Sequence, residues 1–210
     1  SEEGLEVSVA NGKPLDGPLR QQLAQACEAL SLARLTWDGE VIAMRAPPVQ
    51  RFGDAPVTPP PGAFLQATRH GEASLLDAVR DAVGEAEVVA DLFAGCGTFA
   101  LPLAQQARVH AVEGDAEMIA ALEGGWRRAK GAKPLTAEAR DLFRRPLLPD
   151  ELAKIDAVVL DPPRAGAEAQ VAEIIRAVVP RVAYVSCNPV SFARDVQNMV
   201  AAGYRLDRVQ

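Results

Sequence analysis

From about residue 62 onward, short runs that are mostly apolar alternate with longer stretches in which apolar residues recur every three or four positions. The short runs lie at 88–93, 109–113, 135–139, 157–161, 182–186 and 204–209, and they have the length and composition of strands. The longer stretches, at 97–106, 116–128, 169–179 and 191–202, have helical spacing. Such repetition predicts an α/β fold: a doubly wound, mostly parallel sheet of the Rossmann-like kind with helices on both faces. Ligands of these sheets bind beyond the carboxyl ends of the strands.

Residues 1–62 follow a different rhythm. Residues 5–9 alternate like a strand, and Leu19, Leu23, Ala26, Cys27 and Leu30 recur at helical spacing. Two β-like runs, 33–37 and 40–45, flank Asp38-Gly39, a strong hairpin signal. Pro47-Pro48 and Pro59-Pro60-Pro61-Gly62 then punctuate a connecting loop. The expected organisation is a small α+β accessory element over 1–62, belonging to a central domain, followed by a ligand-binding core over 63–210.

Composition narrows the function classes. Apolar residues make up 49% of the chain, yet no run reaches the roughly 18–20 needed to span a bilayer, so no membrane partner is expected. The three cysteines, Cys27, Cys96 and Cys187, stand far apart, which suits neither a zinc site nor a disulfide framework. A cytoplasmic, monomeric protein is the expectation. The net charge of −6 counts against an autonomous nucleic-acid binder, because phosphate contacts want clustered cations. One basic run, residues 126–133, reads best as a solvated helix end and loop.

Three short motifs carry candidate chemistry, each at the end of an expected strand. Asp91–Phe99 (DLFAGCGTF) follows an apolar run and opens a helix. Gly95 and Gly97 allow a sharp turn and a close approach of ligand to backbone. Glu113, twenty-two residues after Asp91, is placed to accept hydrogen bonds from ribose hydroxyls. Strand, glycine turn, helix and spaced acid together point to a cofactor containing adenosine. They leave NAD and S-adenosyl-L-methionine both open, since Gly95-x-Gly97-x-x-Ala100 also satisfies the dinucleotide fingerprint.

In the second motif, Asp161-Pro162-Pro163-Arg164, two prolines force the chain out of the sheet and fix the Asp161 carboxylate over the strand ends. In the third, Tyr184-Val185-Ser186-Cys187-Asn188-Pro189, a thiol stands at a strand end beside a helix N-terminus, where a thiolate is favoured.

DLFAGCGTF, DPPRAG and YVSCNP, in this order and spacing, resemble the RNA 5-methyluridine (uracil-5-) methyltransferase family; Pro61–Gln66 resembles its segment ahead of the core. The resemblance implies an S-adenosyl-L-methionine-dependent enzyme that methylates carbon 5 of a uridine in RNA through a covalent cysteine–uracil intermediate, with transfer or ribosomal RNA as partner. It further implies that Gln66, Phe93, Gly95, Gly97, Thr98 and Glu113 contact the cofactor, with Glu113 on the ribose. Asp141 would lie near the adenine, Asp161 beside cofactor and target base, and Cys187 would be the nucleophile. Thr98 departs from relatives that carry Asn there. The family's glutamate base, its N-terminal β-barrel and the iron–sulfur cysteines of some members have no counterpart in these residues. The chain is therefore expected to be a fragment, its core incomplete at the C-terminus and inactive by itself. A non-catalytic cofactor-binding module, or a methyltransferase acting on another substrate, is the alternative reading.

Overall fold

A computed structural model describes residues 3–210. The first three strands, β1 (Glu6–Val9), β2 (Arg34–Trp37) and β3 (Glu40–Met44), form a small sheet in the order β1-β2-β3. Helix α1 (Gly17–Ala29) connects β1 to its parallel neighbour β2. Asp16 caps that helix by accepting from the Leu19 amide at 2.7 Å. Asp38 and Gly39, at φ 47° and 84°, make the β2–β3 turn with both central residues left-handed, as the Asp-Gly pair predicts. Cys27, Leu32 and Leu35 form the small core of this part. Arg34, almost wholly buried, ties the sheet to the connecting loop through Glu6 and the Pro59 carbonyl, 2.8 Å away.

Two elements were not anticipated. The expected loop contains a hairpin, β4 (Gln50–Phe52) and β5 (Ala55–Val57). Its residues Phe52, Ala55 and Val57 sink into the main core beside Leu101 and Leu122. Helix α2 (Arg69–Val83) follows, capped by Thr68 and stopped at Gly84, and buries Val79 and Val83.

The main sheet comprises β6 (Val88–Leu92), β7 (Arg108–Glu113), β8 (Leu135–Ala139), β9 (Ala157–Leu160) and β10 (Arg181–Tyr184). All neighbours are parallel, in the order β10-β9-β6-β7-β8. The chain starts in the middle, runs to one edge, then returns to the other side of β6. The reversal leaves a crevice between β6 and β9, where the connections diverge to opposite faces.

The remaining helices are α3 (Ala100–Leu103), α4 (Ala116–Arg128), α5 (Pro149–Leu152), α6 (Glu168–Ala177) and α7 (Pro189–Ala201). Side chains alternate across the sheet, so β9 sends Ala157 and Val159 to one core and Val158 and Leu160 to the other. The first core is covered by α2, α3 and α4, the second by α5, α6 and α7. Burial on both faces explains why these strands read as apolar runs.

Two expectations are corrected. The helix expected over 97–106 shrinks to the single turn of α3, because glycine and proline at Gly97 and Pro102 sit in that stretch and turns take up the rest. The strand expected over 204–209 does not form. Tyr204 is anchored by its hydroxyl, which donates to the Ile174 and Val179 carbonyls, while Arg205 and Arg208 pair with Asp207 and Asp81. With its charges satisfied at the surface and no ladder to join, the alternating run stays irregular.

Candidate active site

Register places the three motifs along one line. Leu92 of β6 pairs with Val112 of β7 and Leu160 of β9, and Leu160 pairs with Tyr184 of β10. Phe93, Glu113, Asp161 and the segment from Val185 to Cys187 therefore emerge from adjacent strands at the same edge of the sheet.

The glycine turn is strained and clamped. Phe93 adopts φ 63°, a left-handed conformation costing about 1–3 kcal/mol for a bulky side chain. Its ring packs on Phe143, with centroids 5.4 Å apart. The Gly95 amide donates to Glu113 Oε2 at 3.0 Å, and the Asp115 amide donates to Glu113 Oε1 at 3.1 Å. Glu113 thus shapes the loop, and each oxygen keeps a free lone pair for a ligand hydroxyl.

The two glycines differ. A Cβ on Gly95, at φ 54°, would meet nothing within 4 Å, so one side of the backbone is open to a ligand. A Cβ on Gly97, at φ 98°, would lie 2.8 Å from the Leu101 side chain and 3.0 Å from Leu122. Gly95 is a cradle, whereas Gly97 is required by packing. Thr98, half-buried, completes the turn.

Below the turn, Asp91 is fully buried, and among the described residues no side chain pairs with its carboxylate. Burial and the nearby Asp161 push its pKa well up, which the Ala100 amide only partly offsets. Sequence reasoning used Asp91 only as the start of the motif; a single acid in an apolar run was the available signal.

Among the described residues, Asp161 makes no hydrogen bond or ion pair through its carboxylate. Burial raises it to about 6. Its backbone is fixed, since its amide donates to the Leu92 carbonyl at 3.3 Å. Cys187 is the exposed cysteine, whereas Cys27 and Cys96 are buried and burial pushes the Cys96 thiol up to about 12. The loop carrying Cys187 is tied to the loop carrying Asp161 by Asn188, whose Nδ2 donates to the Arg164 carbonyl at 2.8 Å. Asn188 also caps α7 through the Val190 amide. It belongs to the third motif, but its bridging role is visible only in the fold.

Two other residues sit at this edge. Asp141 follows β8, and its Oδ1 accepts from the Phe143 amide at 2.9 Å, which turns the loop that brings Phe143 onto Phe93. Gln66 precedes α2, whose C-terminal end meets the start of β10: Arg181 donates to the Val83 carbonyl at 2.9 Å. Fifteen helical residues span about 22 Å, so the other end of α2, and Gln66 with it, lies toward the carboxyl ends of the strands. The basic run lies elsewhere and is largely engaged. Arg127 pairs with Glu123, Arg128 donates to the Pro56 carbonyl, and Lys133 donates to the Gln106 carbonyl.

The profile of the family described as tRNA (Uracil-5-)-methyltransferase matches residues 136–209, the segment holding Asp141, Asp161 and Cys187. A Rhizobium meliloti protein named as an uncharacterized RNA methyltransferase is 47% identical over 209 residues, covering 100% of this chain and 50% of the relative. The chain belongs to the RNA uracil-5-methyltransferase family. It spans about half the length of the curated relatives it matches. A family member from Halomonas elongata, a 23S rRNA (uracil(1939)-C(5))-methyltransferase, is 44% identical over 123 residues, covering 57% of this chain and 25% of its own. The fold matches that of the Pyrococcus abyssi tRNA (uracil-54, C5)-methyltransferase solved with S-adenosyl-L-homocysteine, with a TM-score of 0.72 and 22% identity over 97% of this chain and 50% of that one. In this family setting, the sheet edge bearing Cys187 and Asp161 is the candidate active site. No helix among the described residues is long and apolar enough to cross a membrane.

Proposed function

We propose that this chain is the cofactor-binding, nucleophile-bearing core of an enzyme that methylates carbon 5 of a uridine in RNA, using S-adenosyl-L-methionine. The observation that carries this reading is the pairing of an exposed Cys187 with an unpaired Asp161 on adjacent loops joined by Asn188. The residues fit the cofactor. Gly95 leaves its backbone open, Glu113 faces that opening, and the unpaired Asp161 carboxylate suits a cationic sulfur. Glu113 would hold the ribose, with Gln66, Phe93, Gly97 and Thr98 around it and Asp141 toward the adenine. When bound, the cofactor supplies an electrophilic methyl group on a positively charged sulfur.

Carbon 5 of uracil is a poor nucleophile, and Cys187 supplies the remedy. Its Sγ gives up its proton to water and bonds to carbon 6 of an unstacked uracil, and the C5=C6 electron pair moves toward O4 as an enolate. Carbon 5 then carries the electron density needed to accept a methyl group. A base afterwards removes the carbon 5 proton, the pair restores C5=C6, and the C6–S bond breaks to release Cys187. A cytoplasmic, monomeric enzyme, with residues 1–62 as an accessory element and the β4–β5 hairpin docked on the core, completes the proposal.

Calorimetry on the purified chain tests it. S-adenosyl-L-methionine and its demethylated product should bind, NAD should not, and Glu113→Ala should lose about 1–3 kcal/mol, the scale of a charged hydrogen bond. A folded chain that binds NAD equally well, or binds none of the three, overturns the reading.

A further inference from the structure

Asp195 of α7 is completely buried and carries a dense hydrogen-bond set. Its Oδ2 accepts from the Ala167 amide at 2.7 Å and from the Tyr184 hydroxyl at 2.6 Å. Its Oδ1 accepts from Arg194 Nε and Nη2 at 2.8 and 2.7 Å. Arg194 Nη2 in turn donates to the Ala165 carbonyl at 3.1 Å. Gly166, at φ 81°, passes so close that a Cβ there would lie 2.7 Å from both Arg194 Nη2 and Asp195 Oδ2.

These partners are not scattered. Tyr184 ends β10 three residues before Cys187, and α7 begins two residues after it. Ala165, Gly166 and Ala167 close the loop that Asp161 opens. One carboxylate therefore fastens the strand before the thiol, the helix after it and the loop bearing Asp161. Burying a charge costs several kcal/mol unless its lone pairs are met, and apolar packing could fill the same volume more cheaply. What apolar packing cannot do is hold three segments in directional register.

We propose that Asp195, through Tyr184 and Arg194, is the positioning residue that sets Cys187 relative to Asp161. This rests on the reading of Cys187 as nucleophile. Asp195→Asn puts an amide against one set of donors, and Tyr184→Phe removes one hydroxyl while keeping the edge-on contact with Phe192 at 5.5 Å. Misplacing a reacting group by about 1 Å costs on the order of 10²-fold in rate.

The test uses the full-length enzyme, with methylation of a uridine-containing RNA below the melting temperature of every variant. Asp195→Asn should lower kcat about 100-fold and Tyr184→Phe about 10-fold. KM for RNA and affinity for S-adenosylhomocysteine should stay within about threefold of wild type. Leu135→Ala, at the start of β8 on the sheet edge opposite β10 and in the other core, serves as a control that loses stability but keeps kcat. Alkylation of Cys187 by iodoacetamide in the purified 210-residue chain, where Cys27 and Cys96 are buried, gives a readout independent of turnover. Its rate should change more than threefold in Asp195→Asn and not in Leu135→Ala. Wild-type kcat in Asp195→Asn, or a kcat loss matched by the control, overturns the inference. An active Cys187→Ser enzyme would instead overturn the nucleophile assignment beneath it.

Discussion

Asp161→Asn should make the protein more stable and less active, with the stability gain growing from about pH 4 and complete above about pH 6. The Asp161 carboxyl rises from 3.8 to about 6 because it is buried without a hydrogen bond or counter-ion. Between those values the folded chain keeps a proton that the unfolded chain has released. Stability therefore falls as pH rises through that window and levels off above about 6. A rise of that size corresponds to about 3 kcal/mol lost at pH 8, taking about 1.4 kcal/mol per pH unit. Asparagine is nearly isosteric and never ionises, so it escapes the loss. Its removal of a negative charge also relieves Asp91, whose pKa Asp161 helps to raise. Urea unfolding of the purified chain should thus show Asp161→Asn more stable by about 2–3 kcal/mol at pH 8, with an unchanged m-value. In a melt, that is about 4–12 °C for a chain of this size. Below pH 4 the two proteins should coincide. Equal stability at pH 8, or a gain that persists undiminished at pH 4, would refute the claim that Asp161 is held as an uncompensated acid.

Cys187→Ala in the full-length enzyme should abolish methyl transfer while leaving S-adenosylhomocysteine affinity within about twofold, because the thiol acts on the base rather than the cofactor. RNA carrying 5-fluorouridine should trap a covalent adduct with wild type and none with the variant, read by denaturing gel. The two glycines of the turn should separate stability from binding. Gly97→Ala, driven into Leu101 and Leu122, should destabilise by about 2–4 kcal/mol in urea titrations. Gly95→Ala, open to solvent, should cost only about 1 kcal/mol of stability for its left-handed backbone yet weaken cofactor binding at least tenfold by calorimetry.

Much of the chain was legible before its fold. Buried strands such as Val88–Leu92 and Ala157–Leu160 announce themselves because a parallel sheet covered on both faces tolerates little but apolar side chains. The Asp38-Gly39 turn was readable because few residue pairs accept two consecutive left-handed conformations. The motif residues at the strand ends were readable for a related reason: chemistry restricts residue type as tightly as sterics do. Helix α2 carries a legible signal too, in Leu75, Leu76, Val79 and Val83 between Thr68 and Gly84.

Other features exist only once distant segments meet. The β4–β5 hairpin has three-residue strands, too short for a period, and it forms because Phe52 and Val57 find Leu101 and Leu122. The run at 204–209 has a strand's alternation but no edge to pair with, and a strand is a relation between two segments. The open side of Gly95 and the filled side of Gly97 look identical in sequence, since only the neighbours differ. Asp195 reads as one more polar residue on an amphipathic helix. Its burial, and its hold on the loops that carry Cys187 and Asp161, arise because α7 folds back against β10 and the loop after β9, bringing donors 11 and 28 residues away in the chain within 2.7 Å of one oxygen.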